Sequence, residues 1–176
     1  VAAQLAYGCD GYEDRNLKTV DLTDDFDAVT VQLSIMTLYA YTHIALGVEF
    51  GYHMLSPNAP FTKGAAYDDK NVKKFMVVLT DGAQTAGAFG PGSARDPAQG
   101  DANLTKLCTS AKANDITIIT MAFDLDHEPT VTRLKNCATD PNKDFFVAND
   151  AAALASAFES VKAAITAEVY LRKLSV

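Results

Sequence analysis

The chain has 176 residues, 48% hydrophobic and 21% charged, enough for one core that needs no metal or disulfide framework merely to fold. Its 15 Lys and Arg stand against 22 Asp and Glu, a formal charge of −7 with no basic stripe, which excludes duplex nucleic acid as a partner. The longest apolar runs, near 76–79 and 151–155, fall far short of the roughly 20 residues of a membrane helix, so no span is expected in this segment.

Val1 opens the chain with neither an initiator Met nor a leader pattern, so a processed product or excised segment is expected. Residues 1–16 form a lead-in, polar and turn-forming from Gly8, and 17–176 make one domain. Residues 17–22 alternate apolar and polar as a short, half-exposed edge strand would. After Thr23, the stripe Phe26, Val29, Leu33 and Met36 predicts an amphipathic helix, with Asp24, Asp25 and Asp27 suited to the dipole of its first turn. A second helix begins just after Thr42, with Ile44, Val48, Tyr52 and Leu55 on one face, and stops at Ser56-Pro57.

Residues 56–71 are a Pro, Gly, Asn and Asp-rich surface loop. The run 75–79 is apolar throughout and too short for a helix, which predicts a strand buried on both faces. Residues 116–123 form a second such run, and a helix over 103–113 carrying Leu104, Leu107, Cys108 and Ala111 joins the two as a βαβ unit. The pattern repeats with a short helix through Val131, Leu134 and Cys137 and a strand at 145–147. A final helix follows, capped by Asp150, with Leu154, Phe158, Val161 and Ile165 inward. The class is α/β with a parallel sheet and helices on both faces. The Gly, Ala and Pro-rich stretch 82–102 is too long for a compact connection and leaves the carboxyl end of a strand, where open α/β sheets bind ligands.

Leu79-Thr80-Asp81-Gly82 places a carboxylate at that edge, within reach of a hard cation directly or through water, while Gly82 frees the backbone to turn. Asp-Gly alone equally marks an ordinary strand-ending turn. Tyr41-Thr42-His43-Ile44 adds a hydroxyl at a helix start, where Thr42 is otherwise simply an N-cap.

These blocks resemble the von Willebrand factor A family, and more closely the carboxyl-terminal domain of TadG-type proteins of Tad/Flp pilus assembly. The resemblance runs through 22–29, 41–47, Met54-Leu55-Ser56-Pro57, 78–82, Leu107-Cys108, Asn136-Cys137-Ala138 and 171–175, in the family's order; Gly8-Cys9 is similar to a Gly-Cys before a polar insertion. It implies a Rossmann-like fold and a non-enzymatic protein-binding module, with no catalytic residues. The module would be extracytoplasmic, anchored to the inner membrane through an upstream segment, and a pilus component would be its partner. It further implies a metal-ion-dependent adhesion site for Mg²⁺ or another divalent cation. Thr42 and Asp81 match two of its three ligand loops, and His43, Gly82 and Thr85 lie on the partner-binding edge. The Asp-x-Ser-x-Ser loop is absent from this chain, and one anionic ligand is too few for tight binding. A metal-independent scaffold is therefore the alternative.

The resemblance also puts the family's first two strands before Val1. Strand 75–79 then lies at an open boundary, which upstream residues or another copy would fill. Two successive right-handed crossovers put the helices carrying Cys108 and Cys137 on one sheet face, so a disulfide is feasible, and the implied extracytoplasmic location favours it. Cys9 is left over.

The enzymatic rival is Phe123-Asp124-Leu125-Asp126, similar to the nucleophile loop of haloacid-dehalogenase phosphatases. There Asp124 would attack a phosphoryl group and Asp126 protonate the leaving oxygen with Mg²⁺ bound. Glu128 stands where that family has Thr or Val, and its later motifs are missing. His43, His53 and His127 lack metal-protease spacing, and Ser93 lacks a hydrolase setting.

Overall fold

The computed structural model describes residues 19–37, 42–85 and 96–173. Its sheet is parallel throughout, in the order β1 (Lys74–Thr80), β2 (Ile116–Phe123), β3 (Phe145–Ala148). Helices α1 (Phe26–Ile35) and α2 (Ile44–Leu55) precede β1, α3 (Pro97–Ala113) and α4 (Glu128–Cys137) form the two crossovers, and α5 (Ala151–Lys173) closes the chain.

Strand alternation sorts the core into two layers. Ile116 and Ile118 of β2 join Met76, Leu104, Ala111 and Val48 beneath α2 and α3, while Ile119 and Met121 pack with Ala157 and Val161 of α5 on the other face. Thr120, fully buried, donates its hydroxyl to the Leu134 carbonyl at 2.8 Å, so α4 lies on the face of α2 and α3. That arrangement brings Cys108 and Cys137 to a Cα separation of 5.2 Å, and a disulfide joins α3 to α4. Cys9 lies outside the described residues.

Several expectations are corrected. Residues 19–22 form no ladder, and 17–18 lie outside the described residues; Asp21 accepts the Leu22 N–H at 2.8 Å and pairs with Lys63 at 3.0 Å instead. Helix α1 has the predicted stripe but buries none of it: Phe26 is 76% exposed and Leu33 64%. Periodicity marks an apolar face without supplying what covers it. Its cap is Asp25, whose carboxylate accepts from Ala28 N–H at 2.9 Å.

Strand β1 is covered on one face only. Met76 is buried, whereas Val77 and Leu79 are 40% and 45% exposed because α5 reaches the β1 side of its face only at Phe75. Helix α3 starts at Pro97, six residues before the expected start, capped by Asp96 with proline in the first turn. Residues 86–95 of the long loop lie outside the described residues. In α5 the inward position taken for Phe158 belongs to Ala157, one helical turn before Val161, and Phe158 is 45% exposed.

A buried lysine holds the loop 56–71 in place. Lys74 donates to the carbonyls of Leu55, at 2.8 Å, and Ala65, and its ammonium lies 4.1 Å from the Tyr67 ring centroid. Burial pushes its pKa below the ordinary lysine value, with Tyr67 and Asp69 opposing.

Candidate functional site

Because β1 and β2 run parallel, Asp81 and Asp124 leave the sheet at the same rim. The turn after β1 is built by Thr80, whose hydroxyl accepts from Gly82 N–H at 3.2 Å and donates to Gly82 C=O at 3.0 Å. Beyond it, Thr85 is joined to the start of α2: its N–H donates to Thr42 C=O at 3.0 Å, and its hydroxyl accepts from Thr42 N–H at 2.9 Å. Thr42 Oγ1 lies so close to Gly82 that a Cβ there would sit 2.9 Å from it. Glycine is needed here for close approach of two loops rather than for an unusual φ. Thr42, Gly82 and Thr85 are thus gathered at one place, with Asp81 exposed beside them.

The helix cap is His43, not Thr42. His43 Nδ1 accepts from Leu46 N–H at 3.1 Å. It also faces Gln84 Nε2 at 3.3 Å. Both neighbours are donors, which assigns the proton of the neutral ring to Nε2. Burial lowers the pKa of His43 below the ordinary value, partly opposed by its own backbone and by the Glu49 charge.

Gln84 was not legible in the sequence. It is 6% exposed, and its Oε1 accepts from Ala45 N–H at 3.3 Å. It thereby satisfies one of the orphan donors of the first helical turn. Nothing in the pattern Gly-Ala-Gln-Thr distinguishes it from a solvated loop glutamine.

Divalent cations of the Mg²⁺ and Ca²⁺ type take six or more oxygens. This rim offers the Thr42 hydroxyl and the Asp81 carboxylate, and among the described residues no group of three or more His, Cys, Asp or Glu could hold a metal ion. The donors present do not by themselves fit a cation. Asp124 and Asp126 are exposed on the rim. Asp124 has φ 46°, and its N–H donates to Ala148 C=O at 2.8 Å. His127 Nδ1 lies 2.8 Å from Thr130 Oγ1, near the start of α4.

An α/β module with its loops joined at the carboxyl rim of a parallel sheet belongs to the Rossmann-like class. The model of the von Willebrand factor type A domain matches residues 20–160, and the chain belongs to that family of adhesion-type, protein-binding modules. Among solved structures, the pilus adhesin SpaC from Lactobacillus rhamnosus GG is similar with TM-score 0.49 and 14% identity. The match covers 87% of this chain and 22% of that one, so the chain spans about a fifth of that adhesin's length. No curated protein matches the sequence.

Proposed function

We propose that the chain is the protein-docking module of a TadG-like pilus-assembly protein, working by binding rather than catalysis. Its contact surface is the rim of Thr42, His43, Asp81, Gly82 and Thr85. The observation that carries this reading is the two-way bonding of Thr42 and Thr85, which gives two loops distant in sequence one fixed shape. A preorganised rim of this kind binds without first ordering its loops.

The exposed carboxylates of Asp81, Asp124 and Asp126 make the rim anionic. Without a resident cation, the fitting partner surface is basic, and a pilus component is the partner we propose. Placement on the outer side of the inner membrane, anchored by an upstream segment, is part of the same reading. The disulfide between Cys108 and Cys137 is in keeping with an oxidising compartment. No helix of the described residues is long and apolar enough to cross a membrane.

The proximity of Thr42 Oγ1 to Gly82, beside Asp81, favours a second reading in which a divalent cation joins the rim to its partner. That reading requires further oxygen ligands, from a carboxylate loop on another segment and from the partner.

Biolayer interferometry with purified pilin subunits separates the readings. Binding that weakens in Thr42→Ala and Asp81→Ala, falls with salt and is indifferent to chelator supports the cation-free rim. Loss of binding in chelator, restored by Mg²⁺, supports the second reading. Binding unaffected by either rim variant overturns both.

A further inference from the structure

The loop after β1 exposes Asp81 and Thr85, and between them Gln84 turns inward until it is only 6% exposed. A carboxamide is costly to bury unless both of its ends are bonded. Here both are: Oε1 accepts from Ala45 N–H at 3.3 Å, and Nε2 meets His43 Nδ1 at 3.3 Å. One side chain thus reaches from the loop to two positions at the start of α2, 39 and 41 residues earlier in the sequence. The other contacts between these segments hold less firmly. The bonds between Thr42 and Thr85 lie at the exposed surface, where water competes for every donor and acceptor. The close approach of Gly82 to Thr42 Oγ1 limits how near the two segments come without tying them together. The bond from Gln84 to Ala45 is sheltered, since Ala45 is 2% exposed. Without that amide the Ala45 N–H would lose its acceptor where water has no access, and the cheapest relief is for residues 81–85 to lift and admit water. Lifting would carry Gly82 and Thr85 away from Thr42.

We propose that Gln84 is the positioning residue of the docking rim: too buried to touch a partner, it sets the fraction of molecules in which residues 81–85 and the start of α2 stand ready to bind. This role rests on the docking function proposed for the rim and adds to it the residue that preorganises the surface. A partner that binds only the ready arrangement associates at a rate proportional to that fraction. Dissociation starts from the same bound contacts whether or not Gln84 is present, so its rate is unchanged. A residue that touched the partner would act on dissociation instead.

Gln84→Met keeps the length and volume of the side chain and removes both bonding groups. In biolayer interferometry of the 176-residue chain with purified pilin subunits at fixed salt, its association rate constant should fall at least about fivefold, with the dissociation rate constant within about twofold of the parent. Lys74→Met is the control, because it destabilises the chain at the opposite end of β1; both of its rate constants should stay within about twofold of the parent. Deuterium exchange of the free chain reads the same role without a partner. In Gln84→Met the amides of Ala45 and Thr85 should exchange at least about tenfold faster while those of β2 are unchanged. Should Gln84→Met disturb folding, Gln84→Asn, whose amide stops one methylene short of α2, should give the same split between the rates. Unaltered association in the folded variant, or faster dissociation alone, overturns the proposal and leaves the docking function standing. Unaltered exchange at Ala45 and Thr85 overturns it likewise. A parent chain that binds no pilin overturns the docking function and with it the role of Gln84.

Discussion

Thr42 and Thr85, 43 positions apart, exchange three hydrogen bonds that close the rim: Thr85 N–H reaches Thr42 C=O at 3.0 Å, Thr42 N–H reaches Thr85 Oγ1 at 2.9 Å, and the Thr85 hydroxyl donates more weakly to Thr42 C=O at 3.4 Å. Thr85→Val keeps the shape of the side chain and the backbone bond while removing the hydroxyl acceptor. Since Thr42 is only half-buried, its N–H recovers water in part, and the expected cost is about 1 kcal/mol. A urea titration should show the lowered midpoint with an unchanged slope. Pilin binding should fall more than stability does, because the bond fixes the surface presented.

Gly82→Ala tests the same contact from the other side. The new methyl would meet Thr42 Oγ1 at 2.9 Å, closer than real Cβ contacts allow, so the Thr42 side chain or one of the two loops must shift. Destabilisation of about 1 kcal/mol is expected. The double variant Gly82→Ala/Thr42→Ala should lose less than the sum of its parts, because the smaller side chain opens the space. Additive losses would mean that the two residues do not meet in solution.

His43 sets a pH dependence with a definite sign. Its folded-state pKa lies below that of the unfolded chain, first because the ring is buried. Above about pH 6.5 both states are neutral, and its contribution to stability is complete. As pH falls below that value the unfolded chain binds a proton that the folded chain refuses, so stability drops until pH passes the lowered folded pKa, then levels off. Urea midpoints measured from pH 8 to pH 5 should show this fall. His43→Asn, which retains a capping acceptor, should flatten it.

These dependences rest on features of uneven legibility. Strands β1 and β2 stood out because an unbroken run such as Ile116 to Phe123 is too short and too β-branched for a helix, and the βαβ order followed from what lies between such runs. The start of α3 was hidden because Pro97 and Gly100 resemble loop residues, although Asp96 followed by proline is a helix-start signal. At the rim, the strand-ending Asp81-Gly82 and the helix-opening Thr42 were visible as types at informative places. That His43 rather than Thr42 caps α2, and that Gln84 turns inward to it, depends on which side chain a folded loop buries. No spacing encodes that choice. The exposed stripe of α1 shows the same limit, since a pattern of apolar residues specifies a face and not its neighbour.

The bridge between Cys108 and Cys137 spans 29 positions, and the chain-entropy relation gives it about 3.5 kcal/mol. Both cysteines are 3% exposed, so gentle reductant should leave the folded bridge intact. Cys108→Ala/Cys137→Ala should lower the urea midpoint by that order of free energy. Reductant present throughout the urea titration, where unfolding exposes the bridge, should lower the midpoint of the parent chain and leave that of the double variant unchanged. An equal response of both proteins to reductant would place the stabilising bond elsewhere.

Lys74 offers the sharpest stability test, because its neighbours are carbonyls rather than carboxylates. The side chain is 6% exposed and donates to Leu55 at the end of α2 and to Ala65 in the following loop. Lys74→Met keeps the length and apolar stem but removes the donors, stranding two acceptors where water has little access, at a cost of about 1–3 kcal/mol. Arginine is no remedy, since its planar fork does not match a site shaped for a compact ammonium over the Tyr67 ring. The loss should be local. In Lys74→Met, limited proteolysis should cut within residues 56–71 at least about tenfold faster, while amides of β2 keep their protection because Ile116, Ile118 and Ile119 remain covered. Uniform loss of protection across β2 would instead make Lys74 part of the global core.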